Sequence, residues 1–172
     1  MAPPLLRSDR LRLRPLTVLD AERLRALIDD FEVAQWLSVV PHPYTLDDAV
    51  AFIARLADED PLVWAIDDGA LCGVIGLESE LGYWIARDRW GQGYGTEAAH
   101  RALRWHFSQG AGTDVLAGHF LDNARSARVL NKLGFVETGF RRIPCRALGH
   151  DIDSRAMLLT RTAFLARLRP SA

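Results

Sequence analysis

Apolar positions come in short bursts along this chain, and the spacing within a burst switches between two residues and three to four. Over residues 10–15 leucine alternates with arginine, the period-two pattern of a half-buried strand. Thr17 with Asp20 loosely resembles a capping box and predicts a helix running through Ile28. Pro41 and Pro43 make residues 36–44 a loop, and Thr45 caps a second predicted helix, 46–57, with Val50, Phe52, Ile53 and Leu56 apolar. Residues 63–66 and 71–77, joined through Asp68-Gly69, read as a β-hairpin. A strand over 80–85 follows, then a helix over 97–107 with Ala98, Ala99, Ala102, Leu103 and Phe107 apolar. A strand at 115–119, a helix opened by Asn123 and stopped by Gly134, and strands at 135–142 and 154–159 complete the series. The order β-α-α-β-β-β-α-β-α-β-β predicts an α/β fold of one domain over residues 1–172, a mixed central sheet with helices on both faces.

Between the 80–85 strand and the helix after it stands Arg89-Trp90-Gly91-Gln92-Gly93-Tyr94-Gly95-Thr96-Glu97, with glycines at alternate positions. A strand that turns through glycines into a helix aims backbone N–H groups and the positive end of a helix dipole at one point, which suits a phosphate. Glycine keeps the approach unobstructed and permits positive φ. The dinucleotide fingerprint G-x-G-x-x-G does not fit, because the third glycine comes one residue early. The G-K-[ST] loop does not fit either, since Thr96 follows Gly95 with no lysine. Taken alone, the segment is equally readable as an ordinary glycine-rich turn.

About thirty residues on stands a second segment, Asn123-Ala124-Arg125-Ser126-Ala127-Arg128-Val129-Leu130-Asn131-Lys132-Leu133-Gly134-Phe135. Together with Glu80-Leu81-Gly82-Tyr83-Trp84 and the glycine loop through Ala98, it resembles the GNAT superfamily of acetyl-CoA-dependent N-acetyltransferases, most closely its RimJ/RimL-type branch. The resemblance covers roughly residues 5–164. It implies a GNAT-like fold and transfer of an acetyl group from acetyl-CoA to a primary amine, a protein N-terminal amine or similar, by direct attack in a ternary complex. The implied cofactor contacts are the loop residues Trp90, Gly91, Gln92, Gly93, Tyr94, Gly95 and Thr96 for the pyrophosphate, the strand backbone at Tyr83, Trp84 and Ile85 for the pantetheine, and Asn123 and Ser126 on the helix. Trp90 departs from the Gln or Arg common in the superfamily but is usual in this branch.

Many GNAT enzymes carry a proton-donating tyrosine at the position of Leu130; the resemblance to RimL-like enzymes implies that the serine at position 126, Ser126, three residues after Asn123 on one helix face, takes that role here. A candidate glutamate of RimL-like enzymes falls near Cys145, where no carboxylate stands. Glu80, a carboxylate on the strand just before the glycine loop, is the expected general base, acting directly or through water, with Glu78 two residues earlier on the same strand face. Asn123 reads equally as a helix cap, Ser126 as a helix-surface serine and Glu80 as a solvated strand-end charge. Arg141, Arg142 and Arg146 stand either against the CoA 3′-phosphate or on a solvated strand face. Trp36, Tyr44 and Trp84 either wall the acceptor pocket or pack in the core.

Net charge changes the picture by exclusion: −1 over 172 residues argues against a nucleic-acid or membrane surface. His42, His100, His106, His119 and His150 show no ligand spacing, and no metal is expected. Cys72 and Cys145 form no redox or metal motif, and no apolar run is long enough for a span or signal, so a soluble cytoplasmic protein is expected, monomer or homodimer. Two other functions fit the same residues. One is a small-molecule amine acetyltransferase, acting on a polyamine or aminoglycoside-like compound, hinted at only by the acidic clusters Asp58-Glu59-Asp60 and Asp47-Asp48. The other is a non-catalytic CoA-binding sensor.

Overall fold

The computed structural model describes residues 2–59, 61–109 and 113–168. Their order is β1 (Leu6–Arg7), β2 (Arg12–Arg14), α1 (Ala21–Ile28), α2 (Phe31–Ala34), α3 (Leu46–Glu59), β3 (Val63–Asp67), β4 (Leu71–Leu77), β5 (Leu81–Ile85), α4 (Tyr94–Ser108), β6 (Val115–Phe120), α5 (Ala124–Leu133), β7 (Val136–Cys145), β8 (His150–Leu159) and α6 (Arg161–Arg167). The strands form one sheet in the order β1-β2-β3-β4-β5-β6-β8-β7. Strands β3 and β4 are apolar and buried at nearly every position, as a strand must be when helices cover both of its faces. On one face α4 and α6 pack through Ala98, Ala102, Leu103, Phe107 and Phe164. On the other, α1 and α3 contribute Leu24, Ile28, Ala49 and Ile53. None of the described helices is long and apolar enough to cross a membrane.

The predicted mixed sheet with helices on both faces is present. Three elements were not predicted: β1, α2 and α6. The first two span two and four residues, too few to show a period. Helix α6 is capped by Thr160, whose hydroxyl accepts from the Ala163 N–H, and is held by burial of Phe164 against Phe107. Helix α4 begins at Tyr94 rather than Glu97 because Gly93, at φ 81°, already serves as its N-cap. Strands β7 and β8 are ten residues each, longer than their apolar cores, since backbone pairing from Val136↔Leu158 to Cys145↔His150 extends them past the sheet's cover.

One feature of this sheet prepares a site. All its neighbouring strands run antiparallel except β5 and β6, which are parallel and paired only at Leu81↔Ala117. Beyond that pair β5 stays with β4 and β6 with β8, so the two strands diverge and leave a V-shaped opening.

Candidate active site

The opening is occupied by a cavity of about 730 Å³, bordered by β5, the glycine loop, β6, the start of α5 and Arg141 of β7. At its wide end Gly91 and Gly93 hold φ of 76° and 81°, the left-handed region that glycine enters without strain. Among the described residues, none of the backbone N–H groups from Gly91 through Thr96 has a hydrogen-bond acceptor, and Glu97 is the first to donate back, to the Gly93 carbonyl. These donors and the α4 dipole form an anion cradle. Gly95 has a different reason: a Cβ there would come within 3.2 Å of the Tyr83 ring, so its bareness lets β5 pack against α4.

The side chains of the loop serve mainly to hold it. The Trp90 indole N–H donates to the Ile85 carbonyl at 2.7 Å, and the Arg125 guanidinium lies 3.7 Å from the Trp90 ring centroid. The Tyr94 hydroxyl donates to Asp68, which also receives Arg89, while Arg10 stacks on the Tyr94 ring. The exposed Gln92 donates to the Asp88 carbonyl. Thr96 borders the cavity. Glu97 points away from it, binding Ser8 and both the N–H and guanidinium of Arg10.

At the narrow end stand the expected acid and base. Asn123 caps α5, its Oδ1 accepting from the Ser126 N–H at 3.1 Å. Its amide nitrogen has no partner among the described residues, and the residue borders the cavity. Capping therefore leaves one polar group of Asn123 free. The Ser126 hydroxyl lies 3.3 Å from the Tyr83 hydroxyl. Burial pushes the Tyr83 phenol up to about 12, so it stays protonated and can donate to Ser126, freeing the serine proton to point elsewhere. Leu130 is 1% exposed in the core, so the tyrosine position of other family members faces inward here.

Glu80 sits where β5 and β6 meet. It is not the free strand-end charge of the sequence reading: both carboxylate oxygens accept from the two terminal nitrogens of Arg141. Arg141 reaches it across Gly118, where any Cβ would collide with the guanidinium. Glu78 is half exposed and pairs with Arg55. Arg141 is thus committed to Glu80, Arg142 stands 3.9 Å from Asp153, and Arg146 binds the backbone of Ser38 and Val39. Of the three, only Arg141 borders the cavity; the other arginines and lysines that border it are Arg89, paired with Asp68 and Asp88, and Arg125, Arg128 and Lys132 of α5, which have no carboxylate partner among the described residues. Their i, i+3, i+7 spacing on the helix that Asn123 opens was readable in the sequence.

The remaining candidates divide. Trp36 borders this cavity, Tyr44 a second one of about 380 Å³ on the α1/α3 face, and Trp84 both. His119 is buried rather than solvated, with Nδ1 on the Phe120 carbonyl, and it too borders the first cavity. Cys72 and Cys145 are both buried free thiols. Of the acidic clusters, Glu59 pairs with Arg55 and Asp48 caps Thr45, while Asp60 lies outside the described residues.

With this geometry in place, comparison decides the family. Residues 10–136 match the acetyltransferase (GNAT) domain. The chain belongs to the GNAT acetyltransferase family. It is 29% identical over 154 residues to the uncharacterized N-acetyltransferase YoaA of Bacillus subtilis, an alignment covering 81% of this chain and 86% of that one. Its fold superposes on a spermidine N-acetyltransferase from Vibrio cholerae, solved in complex with CoA and spermine, with a TM-score of 0.77 at 19% identity over 92% of this chain and 99% of that one. It also superposes on the ribosomal-protein-S5-alanine acetyltransferase of Vibrio fischeri, with a TM-score of 0.74 at 16% identity over 97% and 100%. The GNAT domain and the mixed sheet expected from the two sequence motifs are thus both found, and the protein is an acetyltransferase.

Proposed function

We propose that this acetyltransferase moves the acetyl group of acetyl-CoA to a primary amine, a protein N-terminal amine or a similar one, by direct attack in a ternary complex. The observation that carries the reading is the divergence of β5 and β6 beyond Leu81↔Ala117, which opens a slot with an anion cradle at one end and Ser126 and Glu80 at the other. In this reading the N–H groups of residues 91–96 hold the pyrophosphate, and Arg125, Arg128 and Lys132 supply positive charge nearby. The pantetheine runs along the free edge of β5 at Tyr83, Trp84 and Ile85, with the Asn123 amide as donor. That CoA accompanies the related spermidine enzyme supports the choice of cofactor.

The thioester is already activated, so alignment of the amine contributes most to the rate. Glu80, oriented by Arg141, takes a proton from the amine through its remaining lone pairs, directly or through water. The amine nitrogen attacks the carbonyl carbon, the C–N bond forms and the C–S bond breaks. The leaving thiolate takes its proton through the Ser126 hydroxyl, which Tyr83 supports from behind. The net transfer is one acetyl group and one proton, the latter from nitrogen to sulfur.

Two measurements test the reading together. Acetyl-CoA at about 100 times its Kd should raise the melting temperature by roughly 5–10 °C. A mixed screen of amines and N-terminal peptides should then release free CoA thiol. Binding without thiol release from any amine would identify a CoA sensor, and no melting shift would remove the phosphate assignment.

A further inference from the structure

The second cavity lies on the other face of β5 from α4 and α5. Leu24 and Ile28 of α1, Phe52 of α3, Val74 of β4, and Val40 and Tyr44 of the loop before α3 form its wall. Its volume, about 380 Å³, is at the small end of the range of about 300–1,000 Å³ for ligand pockets. The carboxylates on its border are already engaged. Asp48 accepts from the Thr45 N–H and hydroxyl, Glu78 from Arg55, and Glu80 from Arg141. Arg146 adds a positive charge at the rim. A polycation would find here one carboxylate without a cationic partner, Asp48, already capped by Thr45 and opposed by Arg146, and none beside it to hold a second nitrogen.

This cavity opens on the first at Gly82. Side chains alternate along a strand, and Trp84 packs with α1 and α3 while Tyr83 packs with α4, so position 82 faces the second cavity. A Cβ built on Gly82 would meet nothing within 4 Å, and Gly82 borders both spaces. The two cavities thus adjoin along a border that includes Glu80 and Gly82, and glycine at position 82 leaves open space there between the slot and the apolar wall. Tyr44, whose phenol burial and then Asp48 push up to about 12, stays neutral there and adds no charge to the cavity.

We infer that the second cavity is the acceptor subsite and that it selects a primary amine whose carbon carries an aliphatic or aromatic group, excluding polyamines. The inference rests on the acetyl-transfer reading above and adds which amine is taken. The amine lies in the open space at Gly82 facing the thioester, and its apolar substituent fills the space between Ile28, Phe52 and Val74. A free amino-acid amide and the first residue of a peptide share this chemistry.

The test measures thiol release from acetyl-CoA with glycinamide, alaninamide, leucinamide, phenylalaninamide, a tripeptide beginning with leucine, and spermidine. Leucinamide or phenylalaninamide should exceed glycinamide in kcat/KM by at least about tenfold, the discrimination an apolar pocket gives for one or a few methylenes. Spermidine should be the slowest. The tripeptide against leucinamide tells which source is preferred, and activity with either supports the inference. Val40→Glu, on a half-buried loop position, should lower kcat/KM for leucinamide about tenfold while keeping the melting temperature and its shift with acetyl-CoA. Equal rates for glycinamide and leucinamide, spermidine as best acceptor, or an unaffected Val40→Glu would overturn the inference and leave acetyl transfer standing. Transfer to none of these amines, with acetyl-CoA bound, would overturn both.

Discussion

Ser126 and Glu80 face the same slot with different attachments, and those attachments set what each substitution should do. The Ser126 hydroxyl lies within hydrogen-bond reach of the Tyr83 hydroxyl, and in the proposed mechanism it acts on the cofactor as the thiolate departs. Ser126→Ala should therefore lower kcat while the melting shift with acetyl-CoA is kept, the signature of an interaction made mainly in the transition state. An unchanged kcat would return the serine to the helix surface. Glu80→Gln should lower turnover by about 10²-fold, and the remaining rate should climb more steeply with pH, because an amine deprotonated by solvent needs no base. Since the glutamate also anchors Arg141, a stability measurement belongs beside the rate. A variant that melts normally yet turns over slowly supports the base. Normal turnover would leave the proton to solvent. The carboxylate at position 80 was legible in the sequence, but its partner was not: Arg141 is 61 residues away, and only the β6-β8-β7 order brings it over Gly118.

At the scale of the element, the proposed function gives the strand-loop-helix unit from β5 to α4 and the helix α5 a binding duty beside their structural one. In the loop, Gly93→Glu would force a side chain into left-handed backbone and place a carboxylate among donors meant for phosphate. The acetyl-CoA melting shift should vanish, and a shift equal to the parent's would show that the phosphates bind elsewhere. On α5, Asn123→Asp keeps an oxygen acceptor for the Ser126 N–H but lacks the amide donor facing the cavity. It should leave the unliganded melting temperature near the parent's and weaken acetyl-CoA. Asn123→Ala should weaken acetyl-CoA and also lower the unliganded melting temperature, losing about 1 kcal/mol of stability with the cap. Equal cofactor affinity in all three proteins would reduce Asn123 to a cap. The capping residue and Gly134 stop were readable because they are local devices. The start of α4 was misplaced by three residues for the complementary reason, that its cap is a glycine with no side chain to announce it.

Across the whole molecule, the outer strands are tied to the helical layer by an ionic cluster. Asp67 of β3 accepts from Arg12 and Arg14 of β2, and Arg14 continues to Asp20 at the start of α1. Burial alone would raise the Asp67 carboxyl, but the hydrogen bonds from Arg14 and Arg12 outweigh it and hold it at about 2, below the ordinary value of 3.8. A depressed folded-state pKa contributes stability above the unfolded value that is lost as the pH falls through the folded one. The side chain is only 5% exposed, and the shift corresponds to roughly 2 kcal/mol, lost between about pH 4 and pH 2. Asp67→Asn should lower stability at neutral pH and flatten the acid limb in that interval. Parallel acid limbs in urea unfolding of variant and parent would assign the acid sensitivity to other carboxylates.

What the sequence determined by itself were the features that depend on neighbours along the chain. The period-two and period-3.6 runs placed most of the strands and helices. The alternate glycines marked the anion cradle, and the Asn123 segment with the Lys132-Leu133-Gly134-Phe135 signature marked the second half of the slot. Such signals survive in one dimension because backbone conformation and capping are settled within a few residues. Tertiary structure decided what depends on strand order and on which face a residue takes. It separated β5 from β6, committed Arg141 to Glu80 rather than to a phosphate, and set Tyr83 behind Ser126. It also sent Trp36 to one cavity, Tyr44 to the other and Trp84 to the border of both, because side chains that meet across the sheet carry no mark in the sequence of their distance in space.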